Sequence, residues 1–260
     1  MNDHDKFKAE CAIEIERQGS DQELLALTNQ WISKAAEHKY SYHFEWLGRP
    51  IIQHPQDMVA VQQLLWEIQP DLIIETGIAR GGSLVFYASI LELIAQCGGN
   101  QNAKVLGIDI DIREHNRTAI LAHPMSKRID MIQGSSIAPD TFASVKSAAA
   151  GCKKILICLD SNHTHDHVLE ELKLYAPLTS KGSYCIVFDT IVEDMPEHVG
   201  PPRPWGKSNN PKTAVFEYLD MLKSSKTLAA DGEQLTLDID RQMDNRLLIS
   251  VAPSGFLRRN

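Results

Sequence analysis

The chain has 260 residues, enough for one large α/β domain with an appended segment. Its formal net charge is −8 and it has no dense basic run, which argues against binding the nucleic-acid backbone. No apolar run approaches the roughly 20 residues that a transmembrane helix needs. The N-terminus is polar, without a signal-peptide core. We therefore expect a cytoplasmic protein that binds neither nucleic acid nor membrane.

The N-terminal part is predicted to be a helical extension. Apolar residues recur at helix-like spacing through residues 1–35, and a loop rich in aromatic residues follows over 40–50. A helix with a proline in its first turn is predicted over residues 55–68. We divide the chain into an extension, residues 1–54, and a main domain, residues 55–260. The aromatic residues of the loop over 40–50 should either form a wall of the substrate pocket or pack in the core or against another subunit.

Strands and helices alternate in the first half of the main domain. Five strands are predicted, a buried one at residues 72–76 and four more at 104–109, 129–133, 155–160 and 183–189. Helices are predicted between them, at residues 82–96, 113–123, 139–150 and 164–175. This alternation indicates an α/β fold with a parallel sheet that is covered on both faces.

The C-terminal pattern differs. After a predicted helix over residues 213–224, two strands are predicted at 234–239 and 246–251, and their link is too short for a crossover helix. They should form an antiparallel hairpin. Five parallel strands and this hairpin make the seven-stranded, doubly wound, Rossmann-like sheet of methyltransferases, whereas a dinucleotide-binding dehydrogenase should continue with parallel units.

The turn after the first strand is the first candidate ligand site. Ligands of open α/β sheets bind beyond the carboxyl ends of the strands, and free amides at a helix start favour a carboxylate. Glu75 can accept from an ammonium group, and the G-x-G-x-x-G spacing for a pyrophosphate is absent. S-adenosylmethionine, which carries both groups, fits better than NAD. We assign to it the residues Glu75, Gly77, Ala79, Gly81 and Ser83.

Two further strand ends extend this cofactor site. Asp109 ends the second strand, where a carboxylate can accept from both hydroxyls of a ribose, with Asp111 as the alternative. NAD enzymes also bind ribose through such a carboxylate, so Asp109 indicates a nucleoside but does not distinguish S-adenosylmethionine from NAD. Ser135 follows the third strand and is assigned to the edge of the adenine ring.

Carboxylates also follow the fourth and fifth strands. Asp160 and Asp189 should converge on a hard cation such as Mg²⁺, with Thr190, Asn162 or water completing its shell. Such a cation would lower the pKa of a substrate hydroxyl. His163 is the candidate general base, because imidazole titrates near neutral pH.

Other interpretations of this stretch stay open at the level of the sequence. The site could hold no metal, and His163 could be a surface or helix-capping residue. His163, His165 and His167 could instead bind a transition metal, although side chains on a loop that enters a helix should point in different directions.

Four runs of sequence resemble the cephalosporin hydroxylase / rhamnosyl O-methyltransferase family, and the resemblance extends over residues 40–258. They are Tyr42-x-Phe44-x-Trp46-Leu47-Gly48-x-Pro50-Ile51-x-Gln53, Ile74-Glu75-Thr76-Gly77-x-Ala79-x-Gly81-Gly82-Ser83, Leu159-Asp160-Ser161-Asn162-His163-Thr164-His165-Asp166-His167-Val168 and Asn245-Arg246-Leu247-Leu248-Ile249-Ser250-Val251-Ala252-Pro253-Ser254-Gly255-Phe256-Leu257. The resemblance implies a class I methyltransferase fold, S-adenosylmethionine and often a divalent cation.

A more distant similarity to metal-dependent catechol O-methyltransferases implies specific roles. Asp160 and Asp189 would be metal ligands, Asp160 would also border the cofactor, and His163 would act as the base. Thr190 stands where those enzymes have asparagine, and His163 stands where they have lysine.

We therefore predict an S-adenosylmethionine-dependent O-methyltransferase for a hydroxyl of a sugar or small molecule, assisted by Mg²⁺ and assembled as a homo-oligomer. The Pro-rich residues 193–211 should form a lid or a substrate wall. The competing hypotheses are an NAD-dependent oxidoreductase on the same sheet and a non-catalytic assembly module with a vestigial pocket.

Overall fold

The N-terminal segment is helical in the computed structural model, which describes residues 2–196 and 203–260. Two helices, α1 (Asp3–Ser20) and α2 (Gln22–Glu37), replace the single predicted helix. The break falls at Asp21, whose carboxylate accepts from the first backbone amides of α2 and caps it. Strands β1 (Phe44–Trp46) and β2 (Arg49–Ile51) then form an antiparallel pair.

A seven-stranded sheet forms the centre of the main domain, as predicted. Its strands are β3 (Leu72–Thr76), β4 (Lys104–Asp109), β5 (Ile129–Gln133), β6 (Ile155–Leu159), β7 (Tyr184–Val187), β8 (Leu237–Ile239) and β9 (Phe256–Arg259). The spatial order is β5-β4-β3-β6-β7-β9-β8. The first five strands are parallel, and β9 runs antiparallel to both of its neighbours. The predicted Rossmann-like fold is confirmed.

Helices pack on both faces of this sheet and bury two apolar layers. They are α3 (Pro55–Ile68), α4 (Gly82–Gln96), α5 (Glu114–Leu121), α6 (Pro139–Ala149), α7 (His165–Tyr175), α8 (Pro211–Ser224) and α9 (Arg241–Leu247). None of the helices in the described ranges is long and apolar enough to cross a bilayer.

The predicted strand over residues 246–251 is wrong. Helix α9 ends at Leu247, and the apolar run after it is a buried loop. Ser250 Oγ and the amide of Val251 both donate to the carboxylate of Asp57, at 2.6 and 2.9 Å. The strand that pairs with β8 is β9, in which Arg259 is buried because its guanidinium donates to Thr179 O and pairs with Asp231.

The order of the strands locates the site. From β3, the next two strands, β4 and β5, are added toward one edge of the sheet. The chain then crosses back, and β6 pairs with the other side of β3. The crevice at such a reversal, beyond the carboxyl ends of β3 and β6, is where open α/β sheets bind ligands. Gly77 stands there with φ +92°, and a Cβ at this position would lie 2.0 Å from the carbonyl oxygen of Asp160.

We predict that Gly77→Ala destabilises the protein far more than Gly151→Ala. Both glycines have left-handed φ angles, +92° and +83°, so both substitutions strain the backbone by ~1–2 kcal/mol. Only Gly77 would also clash, since no atom lies within 4 Å of a Cβ at Gly151. Thermal unfolding measures the difference. Equal losses of Tm in the two variants would show that the contact between β3 and β6 tolerates a side chain.

Candidate functional site

Two cavities open at the carboxyl ends of the parallel strands and share Gly77 and Ser161. The first, of about 220 Å³, reaches Asp160, His163 and Asp189, and we call it the metal cavity. The second, of about 270 Å³, is bordered by the ends of β4 and β5 and by Trp205, and we call it the nucleoside cavity; its lining includes Asp109, Ser135, Ser136 and His167. Residues predicted at five separate strand ends thus meet around one groove.

The glycine turn is shaped by three left-handed residues, Gly77, Ala79 and Gly81. Asp109 fixes this turn, because its Oδ2 accepts from the amides of Ile78 and Ala79 at 2.9 and 3.3 Å. Gly77, Ala79 and Ser83 line the metal cavity. Gly81 instead packs against Ile120, and a Cβ at Gly81 would lie 2.3 Å from the Ile120 side chain.

Glu75 lies at the end of β3 and is completely buried. Its Oε2 accepts from Ser83 Oγ at 2.7 Å, whereas its Oε1 has no hydrogen-bond partner among the described residues. Burial raises the pKa of Glu75 to about 8, against the opposing effect of the Ser83 and Tyr87 hydroxyls, and the charge of Asp109 adds to the rise. Glu75 itself lines neither cavity, but Ser83, which donates to its Oε2, lines the metal cavity. A buried carboxyl oxygen without a partner next to a cavity marks a candidate position for a ligand's donor.

Asp160, His163 and Asp189 form the acidic end of the groove. One potential ligand atom from each lies within 4.8 Å of the others, and His163 Nε2 is 3.2 Å from Asp189 Oδ2. Burial raises the pKa of Asp160 well above its ordinary value, and the charges of Asp189 and Glu75 reinforce the rise. Asp189 has a left-handed backbone, φ +55°, a conformation that is uncommon for residues other than glycine and often marks a functional site.

Comparison with known proteins gives this geometry a family. A sequence model described as "Rhamnosyl O-methyltransferase/CmcI" matches residues 38–260. The chain belongs to this family.

Individual relatives agree with that assignment. The rhamnosyl O-methyltransferase of Mycobacterium tuberculosis (strain ATCC 25618 / H37Rv) is 32% identical over 212 residues, which cover 78% of this chain and 73% of the relative. A CmcI structure with Mg and SAM has a TM-score of 0.55 at 20% identity, covering 84% of this chain and 77% of that one. MycE with Mg, SAH and mycinamycin VI has a TM-score of 0.50 at 16% identity, covering 88% and 53%.

Membership in the rhamnosyl O-methyltransferase/CmcI family confirms the resemblance found in the sequence. It also confirms the predicted activity, S-adenosylmethionine-dependent O-methylation of a hydroxyl on a sugar or small molecule. The NAD-dependent oxidoreductase and the non-catalytic assembly module are not favoured.

The structure corrects the third member of the predicted metal site. Thr190 is completely buried, its hydroxyl donates to Pro253 O at 2.8 Å, and it does not line the metal cavity. The side chain that lies beside the two carboxylates is the imidazole of His163.

The three histidines point apart, as expected for a loop that enters a helix. His163 faces Asp189, His165 contacts Thr213 and Glu217 on α8, and His167 faces the nucleoside cavity. A site made of all three histidines is therefore excluded by their directions.

The Pro-rich segment contacts the site through Trp205. The ring of Trp205 meets that of His163 edge to face, with centroids 4.8 Å apart, and the guanidinium of Arg203 lies 5.3 Å from the Trp205 ring centroid. Trp205 also lines the nucleoside cavity. The segment that was predicted to be a lid or wall, residues 193–211, includes residues 197–202, which lie outside the described residues.

Sequence reasoning missed two buried acids behind the groove. Glu171 on α7 is fully buried and accepts from Ser161 Oγ at 2.7 Å, with His167 Nε2 at 3.5 Å. Asp57 on α3 is also fully buried, and burial raises its pKa to about 7. The i,i+4 spacing of His167 and Glu171 was a readable signal, whereas the partner of Asp57 lies nearly two hundred positions away, at Ser250.

We predict that Glu75→Gln flattens the pH dependence of stability in the ligand-free protein. Because the folded pKa of Glu75 is about 8 and its ordinary value is 4.5, its contribution is fully present below pH 4.5 and is lost as the pH rises through 8. The wild type should lose on the order of 4 kcal/mol over that range through this group. Urea unfolding at pH 5, 6, 7 and 8 measures the slope.

Glu92→Gln is the matched control for this experiment. Hydrogen bonds to Arg128 and Lys127 lower the pKa of Glu92 to about 2, so its contribution changes only at more acidic pH. That variant should keep the wild-type slope between pH 5 and 8. Parallel curves for the wild type and Glu75→Gln would mean that Glu75 is charged in the folded protein throughout this range.

Proposed function

We propose that this protein methylates a sugar hydroxyl, with Asp160 and Asp189 holding a divalent cation and His163 accepting the proton. The observation that carries the proposal is the convergence of these three groups at the end of the metal cavity next to the glycine turn. The rhamnosyl O-methyltransferase relatives, whose name specifies a sugar acceptor, support it.

The residues beside the glycine turn fit S-adenosylmethionine. The unpartnered Oε1 of Glu75 would accept from its ammonium group, beside the turn formed by Gly77, Ala79, Gly81 and Ser83. Asp109 uses three of the about four hydrogen bonds that a carboxylate can accept, which leaves one for a ribose hydroxyl. Ser135 lines the nucleoside cavity, where adenine would lie. Asp160 lines the metal cavity and precedes Ser161, which lines both.

The donor set at the acidic end fits a hard divalent cation. Two carboxylates provide oxygen ligands, and no Lys or Arg forms an ion pair with either of them in the described part of the chain. A bound Mg²⁺ would lower the pKa of the acceptor hydroxyl. Such a cation would also offset the effect of burial and neighbouring acids, which disfavour the ionised form of Asp160.

The chain's own residues then hold and deprotonate the acceptor. His163 takes the hydroxyl proton on its imidazole, and Asp189, 3.2 Å from Nε2, stabilises the imidazolium that forms. Trp205 packs against His163 and limits its movement. The acceptor oxygen is thereby aligned with the methyl group of the cofactor, and alignment of this kind supplies much of the rate.

The assembly and location of the protein are further proposals. Large apolar side chains on α1 and α2 are exposed, including Phe7, Ile13 and Leu27, which supports a homo-oligomer. All five cysteines are free, which supports a cytoplasmic location, because thiols stay reduced in the cytoplasm. The division at residue 54 also stays a prediction.

We predict that Asp160→Asn and Asp189→Asn weaken Mg²⁺ binding at least about tenfold, because each removes an anionic ligand. Thermal shifts with MgCl₂ in the presence of S-adenosylhomocysteine measure the affinity. Asp166→Asn, which changes an exposed acid in the first turn of α7, should bind Mg²⁺ like the wild type. Release of S-adenosylhomocysteine with methyl α-L-rhamnoside as acceptor measures turnover, which EDTA should abolish. Undiminished turnover in EDTA would remove the cation from the mechanism.

A further inference from the structure

A third cavity, of about 310 Å³, adjoins the metal cavity at Asp189, and we call it the side cavity. The two share Ser41, Tyr42, Asp189 and Val251 in their linings. The side cavity runs from there toward Tyr40, Met195 and Arg203. A molecule in it would therefore reach Asp189, where the metal cavity begins, without crossing the nucleoside cavity.

Two consecutive buried residues leave polar atoms unpartnered beside this passage. Gln53 is 4% exposed and His54 is 6% exposed, and in the described ranges neither Gln53 Nε2 nor His54 Nδ1 has a hydrogen-bond partner. Gln53 lines the metal cavity and His54 lines the side cavity, so they flank Asp189 from the same stretch of chain before α3. Unpaired buried polar atoms cost free energy, and a ligand in the adjoining cavity could supply the missing partners.

The surroundings hold these side chains in place. The ring of His54 packs edge to face on Tyr40 and Trp31, with centroids 5.5 and 6.4 Å apart. Burial lowers the pKa of His54, against the opposing charge of Asp189, so the ring is neutral and offers one donor and one acceptor. The amide of Gln53 offers both as well. Together they present fixed, uncharged hydrogen-bonding groups.

We propose that the side cavity binds the acceptor as a polyhydroxylated ring, and that Gln53 and His54 hydrogen-bond to hydroxyls adjacent to the one that is methylated. This inference rests on the proposed function and adds its specificity residues. A sugar ring carries neighbouring hydroxyls that donate and accept, which matches the amide and the imidazole. It also carries apolar faces, which match the aromatic wall of Tyr40 and Tyr42.

The test uses Gln53→Leu and His54→Phe, which keep shape and remove the polar atoms. In both variants the KM for methyl α-L-rhamnoside should rise roughly tenfold, because one hydrogen bond to the acceptor is lost. The Kd for S-adenosylhomocysteine should not change. The Tm of the ligand-free protein should stay equal or rise, since an unpaired buried polar atom is removed. His54→Asn, which returns a polar atom close to the position of Nδ1, should recover part of the KM.

Ser183→Ala is the matched control. Ser183 Oγ is also buried without a partner among the described residues, but Ser183 directly precedes β7, at the opposite end of the sheet from the groove. Its loss should give a similar change of Tm with an unchanged KM.

The other outcomes are distinct. A fall in Tm with an unchanged KM in Gln53→Leu and His54→Phe would make both residues structural and overturn the inference. Methylation of catechol but not of methyl α-L-rhamnoside or methyl β-D-glucoside would overturn the sugar acceptor and leave O-methylation intact. A wild type that binds no S-adenosylhomocysteine would overturn the proposed function itself, and the inference with it.

Discussion

Carboxyl groups crowd the carboxyl ends of β3, β6 and β7, and this crowding constrains the rest of the site. Glu75, Asp57 and Glu171 are fully buried, and Asp160 and Asp189 lie between them. In the described part of the chain, the only ion-pair partners of these five acids are His163 and His167. The chain thus concentrates acidic groups where water is scarce, and its described residues place no lysine or arginine in an ion pair with them. The missing positive charge must come from protons or from ligands.

This constraint unites the cofactor and the cation. A sulfonium cofactor with an ammonium group and a divalent cation both bring positive charge, and each would lower the cost of the acids it meets. The folded protein should consequently be least stable with an empty groove and most stable when the cofactor and the cation are bound. Rigid surroundings keep the acids from moving apart: Asp109 ties the glycine turn to β4, and Asp57 ties α3 to the loop at Val251, which lines two of the cavities.

Much of this arrangement was predictable because it depends on local pattern. The five parallel strands are short runs rich in apolar residues, and each is followed by a polar residue near the groove. Both the sheet and most of its strand-end side chains could therefore be predicted from the sequence. Asp160, His163 and Asp189 converge simply because parallel strands end at one edge. Glu75 alone favoured S-adenosylmethionine over NAD, and the resemblance of four sequence motifs to the family then identified S-adenosylmethionine as the expected cofactor.

What the sequence hid depends on contacts between distant residues. Strand β9 carries two arginines and looks like a charged tail, and its place in the sheet relies on the burial of Arg259 against Thr179 and Asp231. The apolar run at 247–251 looks like a strand, yet Asp57 holds it as a loop. Thr190 follows Asp189 in sequence, but its hydroxyl turns to Pro253. Gln53 and His54 have no pattern that reveals their unpaired atoms.

The position of β9 has a consequence for assembly of the sheet. Strand β8 touches the parallel strands only through β9, which is inserted between it and β7 although it follows β8 in the chain. Until residues 256–259 leave the ribosome, β7 presents an open hydrogen-bonding edge beside a buried apolar surface, which is a template for pairing between chains. Nascent or truncated forms that lack this strand should therefore be the ones that depend on chaperones.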